Sequence, residues 1–253
     1  MHRGGREDRT LSSVSGQFID YEAAGQPMRG YFAADPAISG PRPGVLVLPE
    51  WWGMNDYVQR RARELAELGY AALAADVYGE GRTADNPNDA GALMGNLLGD
   101  RAAVDARLVA ALATLRAQAG VDADRCAAIG YCLGGALALH MARTGADLAG
   151  VVSFHGSLSS MHKPAPGEVR AKVLVCHGEA DDFIPPEDID NLKQEMADAG
   201  ADLRFTVYPG AKHGFTNPDA DANAEKFGIG LAYDPEVDAK SWAAMRAFFD
   251  EIF

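Results

Sequence analysis

The 253-residue chain is 47% hydrophobic, 8% aromatic and 23% charged, the balance of an ordinary globular protein long enough to bury a large α/β core. Its formal net charge of −13 argues against nucleic acid or an anionic membrane surface as a partner, and no apolar run approaches the length of a membrane span. Cys126, Cys132 and Cys176 do not make a disulfide framework, and the polar N-terminus carries no secretory pattern, so a cytoplasmic location is expected, where a thiol stays reduced.

Residues 1–10 read as a disordered lead-in and residues 11–253 as one α/β domain. Phe18 to Tyr21 and Met28 to Phe32 flank Ala24-Gly25-Gln26-Pro27, the pattern of a hairpin. Gly44 to Pro49 is a continuous apolar run, as in a strand buried on both faces. A helix carrying Val58, Ala62 and Leu65 follows, then a strand over Tyr70 to Ala75. Asp85 to Asn96 reads as a loose excursion over a site. Val104, Leu108, Ala111, Leu112 and Leu115 form a helical stripe.

A strand over Cys126 to Ile129 leads into a helix through Met141. Strands are expected at Leu148 to Phe154, Val173 to His177 and Leu203 to Tyr208, with a helix bearing Ile189, Leu192 and Met196 between the last two. Asn217 to Pro235 is the second loose segment, and Trp242, Met245, Phe249 and Ile252 close the chain on an amphipathic helix. Alternating strands and helices imply a mostly parallel sheet covered on both faces, with the hairpin as an antiparallel edge.

Gly130-Tyr131-Cys132-Leu133-Gly134-Gly135 has the layout of a nucleophile elbow, a sharp strand-to-helix turn with a reactive side chain at its apex. Glycines tolerate the strained backbone and let the helix pack close to its strand. Cysteine in place of the usual serine offers a thiol, the stronger nucleophile once deprotonated. The bland alternative is a buried cysteine packing as a small hydrophobe.

Ligands of such a sheet sit at the carboxyl ends of its strands. Glu50, Cys132, Asp181 and His213 each follow an apolar run, which puts all four at one edge. Chemistry then suggests roles. Cys132 is the nucleophile, His213 the base that takes and returns its proton, and Asp181 the group that orients the imidazole. The order nucleophile, acid, histidine is that of α/β-hydrolases. Asp182 competes with Asp181, while His140, His155 and His177 compete with His213 but read better as structural histidines. His155 could also line the pocket. An oxyanion hole needs the N–H after the nucleophile, Leu133, and one from the loop after the third strand, which position assigns to Trp51. Glu50, set between a buried strand and two tryptophans, is expected to have a raised pKa and to hold the resting Cys132 thiol by a hydrogen bond. The histidines lack close ligand spacing, so neither a metal nor a cofactor is expected.

At these residues the chain resembles the dienelactone hydrolase family. The resemblance rests on Glu50-Trp51-Trp52-Gly53-Met54-Asn55, Asp76-Val77-Tyr78, Gly130 to Gly135, Gly178 to Pro185 and His213-Gly214-Phe215. It implies an α/β-hydrolase fold, a Cys132–Asp181–His213 triad with Glu50 as thiol partner, and metal-free hydrolysis of an ester or lactone through an acyl-cysteine. Family members that cleave dienelactone bind its carboxylate with two arginines. Arg82 matches the first, unless it is a solvated loop cation, whereas the second position is Asn217 here. A neutral amide cannot replace a bidentate charged contact. With Trp51, Trp52, Tyr78, Tyr131, Phe183 and Phe215 expected at the rim, hydrophobic or aryl esters are favoured. The alternatives are cleavage of activated aryl phosphotriesters by the same thiolate and a non-enzymatic thiol sensor or ligand-binding module on a hydrolase frame. A monomer or homodimer is expected.

Overall fold

The computed structural model describes residues 14–253; the lead-in expected over residues 1–10 lies outside them. Eight strands form one sheet: β1 (Ser15–Ala23), β2 (Gln26–Ala34), β3 (Arg42–Leu48), β4 (Ala71–Ala74), β5 (Val121–Tyr131), β6 (Gly150–Phe154), β7 (Lys172–Gly178) and β8 (Leu203–Tyr208). Their order is β1-β2-β4-β3-β5-β6-β7-β8. The hairpin β1–β2 joins β4 antiparallel, and β4 through β8 run parallel. The expected parallel sheet with an antiparallel edge is therefore the architecture observed.

The helices are α1 (Asp56–Glu67), α2 (Pro87–Leu98), α3 (Arg101–Arg116), α4 (Leu133–Arg143), α5 (Pro186–Ala199), α6 (Ala220–Phe227) and α7 (Pro235–Ile252). The period of two along a strand divides the core between the two faces of the sheet. In β3, Val45 and Val47 point to a layer shared with Val58 and Leu65 of α1 and Phe248 and Phe249 of α7. Leu46 and Leu48 point the other way, to Leu108 and Leu112 of α3, Leu137 of α4 and Leu192 of α5. Since both faces are covered, β3 is apolar throughout rather than alternating, as the run Gly44 to Leu48 suggested.

Two differences from the sequence reading have local causes. Strand β5 begins at Val121, not Cys126, and its register against β3 shifts between Pro43 and Gly44. The polar segment Asp122-Ala123-Asp124-Arg125 sits at that shift, which is why no apolar run marked it. Both loose segments also contain helices. Asn86 caps α2 through its side chain, which accepts from the Asp89 N–H, and Pro87 occupies the first turn. Asn-Pro at that spacing is a helix start, hidden because α2 buries only Ala90 and Leu97. Within the second segment, Gly228 ends α6 in the left-handed conformation (φ +66°).

Candidate active site

The parallel strands bring their carboxyl ends to one edge, and the four anticipated residues follow them there. Cys132 sits between β5 and α4 with φ +54° and ψ −115°, a strained backbone for a side-chain-bearing residue. The neighbourhood enforces it. The Cys132 N–H donates to the Phe154 carbonyl (3.1 Å), and its own carbonyl accepts from Ala136 (3.2 Å). Three glycines permit the close approach. A Cβ on Gly130 would lie 2.0 Å from the Gly134 carbonyl oxygen, and one on Gly134 would lie 2.1 Å from that of Leu48. A Cβ on Gly135 would meet Gly156 and Ser153 within 2.7 Å. Leu133 opens α4, so its amide has no acceptor inside the helix.

Asp181 and His213 come from the loops after β7 and β8. The Ala180 N–H donates to the Ala211 carbonyl (2.9 Å) and the Glu179 N–H to that of Tyr208 (3.0 Å), fastening the loops together. His213 Nδ1 lies 2.8 Å from Asp181 Oδ2, while Asp181 Oδ1 accepts from the Phe183 N–H (3.0 Å). Asp181 is buried and Asp182 exposed, which selects the former as the partner of the imidazole. The half-buried Cys132 thiol lines the same cavity as the ring and acts on its charge. Burial opposes charging the His213 ring, but Cys132 and Asp181 outweigh it and push the ring up to about 10. Thiol, imidazole and carboxylate thus form one series in which the imidazole can carry a proton to or from sulfur.

The other histidines are occupied elsewhere. His140 Nε2 of α4 lies 2.6 Å from Asp105 Oδ1 of α3, and His177 is buried near the end of β7 beside Phe205. His155 is fully buried and bonded to Thr216, so it does not line the cavity.

Glu50 is buried, and desolvation pushes its carboxyl up to about 7, against the pull of the Asn217 hydrogen bond and the His213 and Arg61 charges. The expected bond from the Cys132 thiol is not formed. Instead Asn217 Nδ2 donates to Glu50 Oε2 at 2.7 Å. The amide four residues beyond His213 satisfies the carboxylate. Asn217 is therefore a buried partner of Glu50 and not a rim group.

A cavity of about 420 Å³ opens above Cys132, Leu133 and His213, walled by Trp51, Phe183 and Ile184. Both segments read as loose contribute to its wall, Met94 of α2 from the first and Ile229 and Leu231 beyond α6 from the second; Leu98 at the end of α2 and Ser157, Ser159, Ser160 and Met161 line it as well. The two segments lie over the site as anticipated, but sequence offered no means of choosing these side chains. Of the aromatics expected at the rim, Trp51 and Phe183 line the cavity. Tyr131 and Phe215 are fully buried beneath the site; Tyr131 stacks on Phe154 at 4.9 Å. Tyr78 is buried too, and its hydroxyl donates to the Trp51 carbonyl (2.9 Å), holding the loop after β3. Asp76 fixes the turn beneath, accepting from the N–H groups of Tyr78, Gly79 and Gly81. Trp52 faces a separate polar cleft. Arg82 is half-exposed, bonded to the Gly79 carbonyl and 3.8 Å from Glu80, and does not line the cavity.

A doubly covered parallel sheet with a thiol at its strand-to-helix elbow defines an α/β-hydrolase. The sequence model of the dienelactone hydrolase family matches residues 28–253. The chain belongs to that family and is a hydrolase. Protein usf of Aquifex pyrophilus is 30% identical over 241 residues, covering 93% of this chain and 98% of its own. Among solved structures, m3DLH is 45% identical with a TM-score of 0.89, covering 95% of this chain and 99% of its own. A dienelactone hydrolase-like promiscuous phosphotriesterase from metagenomic libraries is 39% identical with a TM-score of 0.87, at the same coverage. Among the described residues no helix is long and apolar enough to cross a membrane.

Proposed function

We propose that this hydrolase cleaves uncharged, hydrophobic carboxylic esters and lactones through Cys132, His213 and Asp181. The observation that carries this reading is the cavity itself. Cys132 and His213 stand in its wall, its other contributors are mainly apolar, and among the described residues neither arginine nor lysine lines it. A dienelactone carboxylate would meet no cationic partner there other than the catalytic His213, which is committed to Cys132 and Asp181, and a poorly paired charge is costly to desolvate.

In the first half-reaction, the Cys132 thiolate attacks the carbonyl carbon and the C=O electron pair moves to oxygen. The Leu133 and Trp51 N–H groups receive that oxyanion. As the tetrahedral species collapses, the bond to the leaving oxygen breaks and the His213 imidazolium gives that oxygen its proton. Neutral His213 then takes a proton from water, whose oxygen attacks the thioester. Collapse releases the acid and returns the thiolate–imidazolium pair. Asp181 holds the ring with Nδ1–H toward itself and Nε2 toward sulfur. Glu50 acts on the His213 charge rather than on the thiol, consistent with its bond to Asn217.

The test is kcat/KM for p-nitrophenyl butyrate beside that for dienelactone, with Cys132→Ala as blank. A preference of at least about tenfold for the neutral ester is expected, since a lost charge-assisted contact is worth at least that much. A preference for dienelactone would refute the neutral-pocket reading, and activity surviving in Cys132→Ala would refute the nucleophile. Likeness to the promiscuous phosphotriesterase supports a second activity, attack of the same thiolate on activated aryl phosphotriesters. Release of p-nitrophenol from diethyl p-nitrophenyl phosphate should exceed that of Cys132→Ala; equal rates would exclude it.

A further inference from the structure

On the side of the His213 ring away from the cavity lies a second imidazole. His155 follows β6 with φ +39°, fully buried, and its N–H donates to the Cys176 carbonyl (2.9 Å). Its ring meets that of His213 edge-on, with centroids 5.2 Å apart at 67°, and packs on Phe215 from the other side at 5.0 Å and 81°. A strained backbone kept at such a place calls for a reason.

A chain of hydrogen bonds reaches this ring from α1. His155 Nε2 lies 2.7 Å from Thr216 Oγ1, which lies 2.6 Å from the Tyr57 hydroxyl. Arg61 Nε donates to Tyr57 (3.4 Å), while Arg61 Nη2 donates to the Thr216 carbonyl (2.8 Å) and to Asp238 (2.5 Å). The chain has a direction because a guanidinium only donates. The Tyr57 oxygen accepts from Arg61, so its hydrogen goes to Thr216. The Thr216 hydrogen is then directed at His155 Nε2, which favours the tautomer with Nε2 unprotonated and the ring proton on the buried, unpartnered Nδ1. Charging the ring would require Nε2 to donate, reversing both hydroxyls against the Arg61 N–H.

The titratable groups facing His155 are His213 beyond β8, Tyr57 and Arg61 of α1, and Tyr131 of β5. Burial and the His213 and Arg61 charges hold the ring well below the usual histidine range. Those facing His213 are Cys132, Asp181, Glu50, His155 and His177. A positive His155 would repel a positive His213 across 5.2 Å, and because both rings are buried such repulsion is strong.

We propose that His155 is a positioning residue: the Arg61–Tyr57–Thr216 chain keeps its ring neutral and edge-on behind His213, so that His213 retains both its orientation and its positive charge toward Cys132. This rests on the reading of His213 as the proton carrier.

The experiment compares wild type, Thr216→Val, Thr216→Ser and His213→Asn. The readouts are the pH profile of kcat/KM for p-nitrophenyl butyrate and the rate of Cys132 alkylation by iodoacetamide. Thr216→Val keeps the side-chain shape and removes the hydroxyl. Its acid limb should move up by about one pH unit, and its alkylation near pH 6 should slow about tenfold, because one unit of proton affinity is a factor of ten. KM should stay within about twofold, as expected when substrate contacts are untouched. Thr216→Ser should restore the wild-type profile. A purely structural role would lower the melting temperature or scale kcat evenly without moving the limb, and an unmoved limb overturns the proposal. If Thr216→Val does not fold, Tyr57→Phe removes the preceding donor and should shift the limb in the same direction. If His213→Asn alkylates like wild type, the triad reading itself falls. If His213→Asn slows alkylation and Thr216→Val does not, only the role of His155 falls.

Discussion

Replacing Gly134 by alanine tests the elbow and the proposed oxyanion hole together. The added Cβ would lie 2.1 Å from the Leu48 carbonyl oxygen, 2.4 Å from its carbon and 2.7 Å from the Pro49 oxygen. All three are backbone atoms at the end of the central strand β3, so no side chain can turn aside. Recovering an ordinary contact of about 3.5 Å requires α4 and the loop after β3 to part by roughly 1 Å or more. Overpacking of this kind costs about 1–3 kcal/mol, and more where the neighbour is rigid. At this chain length about 3 kcal/mol lowers the melting temperature by roughly 6–12 °C.

The loss of activity should exceed the loss of stability. Parting these elements separates Leu133 from Trp51, whose N–H groups must both reach the oxyanion, and a misplacement of about 1 Å can cost about 10²-fold. Thermal unfolding and kcat/KM for p-nitrophenyl butyrate, measured on protein still folded at 25 °C, read the two effects separately. The helix dipole and the thiol stay in the same chain segment, so iodoacetamide should still label Cys132. Wild-type melting temperature and activity in Gly134→Ala would refute the close approach of α4 to β3 and the shared oxyanion hole with it.

Three more outcomes follow from the site. Burial raises Glu50 from 4.5 to about 7, so the proton it binds on folding stabilises the native state fully below about pH 4.5, and that contribution fades as pH rises through about 7. Relative to wild type, Glu50→Gln should gain about 3 kcal/mol between those limits, read as the difference between urea-unfolding free energies across pH; parallel curves would contradict it. Asp181→Asn should lower kcat by about 10²–10⁴ with little change in KM, because the imidazole loses its orienting acceptor; steady-state kinetics at saturating ester decide this, and unaltered kcat would restore Asp182 as a contender. Phe183 lines the cavity with its ring 5.0 Å from His213 and is 52% exposed, so Phe183→Ala should raise KM for aryl esters several-fold, by about 1 kcal/mol of lost contact, while the melting temperature stays within about 1 °C.

The sequence by itself determined the frame. Alternation of apolar runs and helical stripes requires a covered parallel sheet, and a parallel sheet sends every strand's carboxyl end to one edge. Cys132, Asp181 and His213 could be placed at that edge because each follows its apolar run within a few residues, so chain order brings them close. Gly130, Gly134 and Gly135 were legible because a tight strand–helix junction excludes any Cβ. What the tertiary structure decided is which side of the edge each remaining residue faces. Aromatic character could not separate Phe183, which borders the cavity, from Tyr131 and Phe215, packed beneath it, since buried and rim aromatics have the same composition. Asn217 occupies a position read as a substrate contact, yet it turns inward to Glu50, 167 residues away in sequence. Helix α2 was hidden because a helix with one thin buried face shows little periodicity, and only its packing over the cavity made Met94 and Leu98 part of the site. The chain from Arg61 to His155 joins three distant segments through partners that no local pattern specifies. Short-range order follows from spacing along the chain; pocket lining and buried polar pairing follow from the directions of side chains across elements, which are set only when the sheet and its helices are assembled.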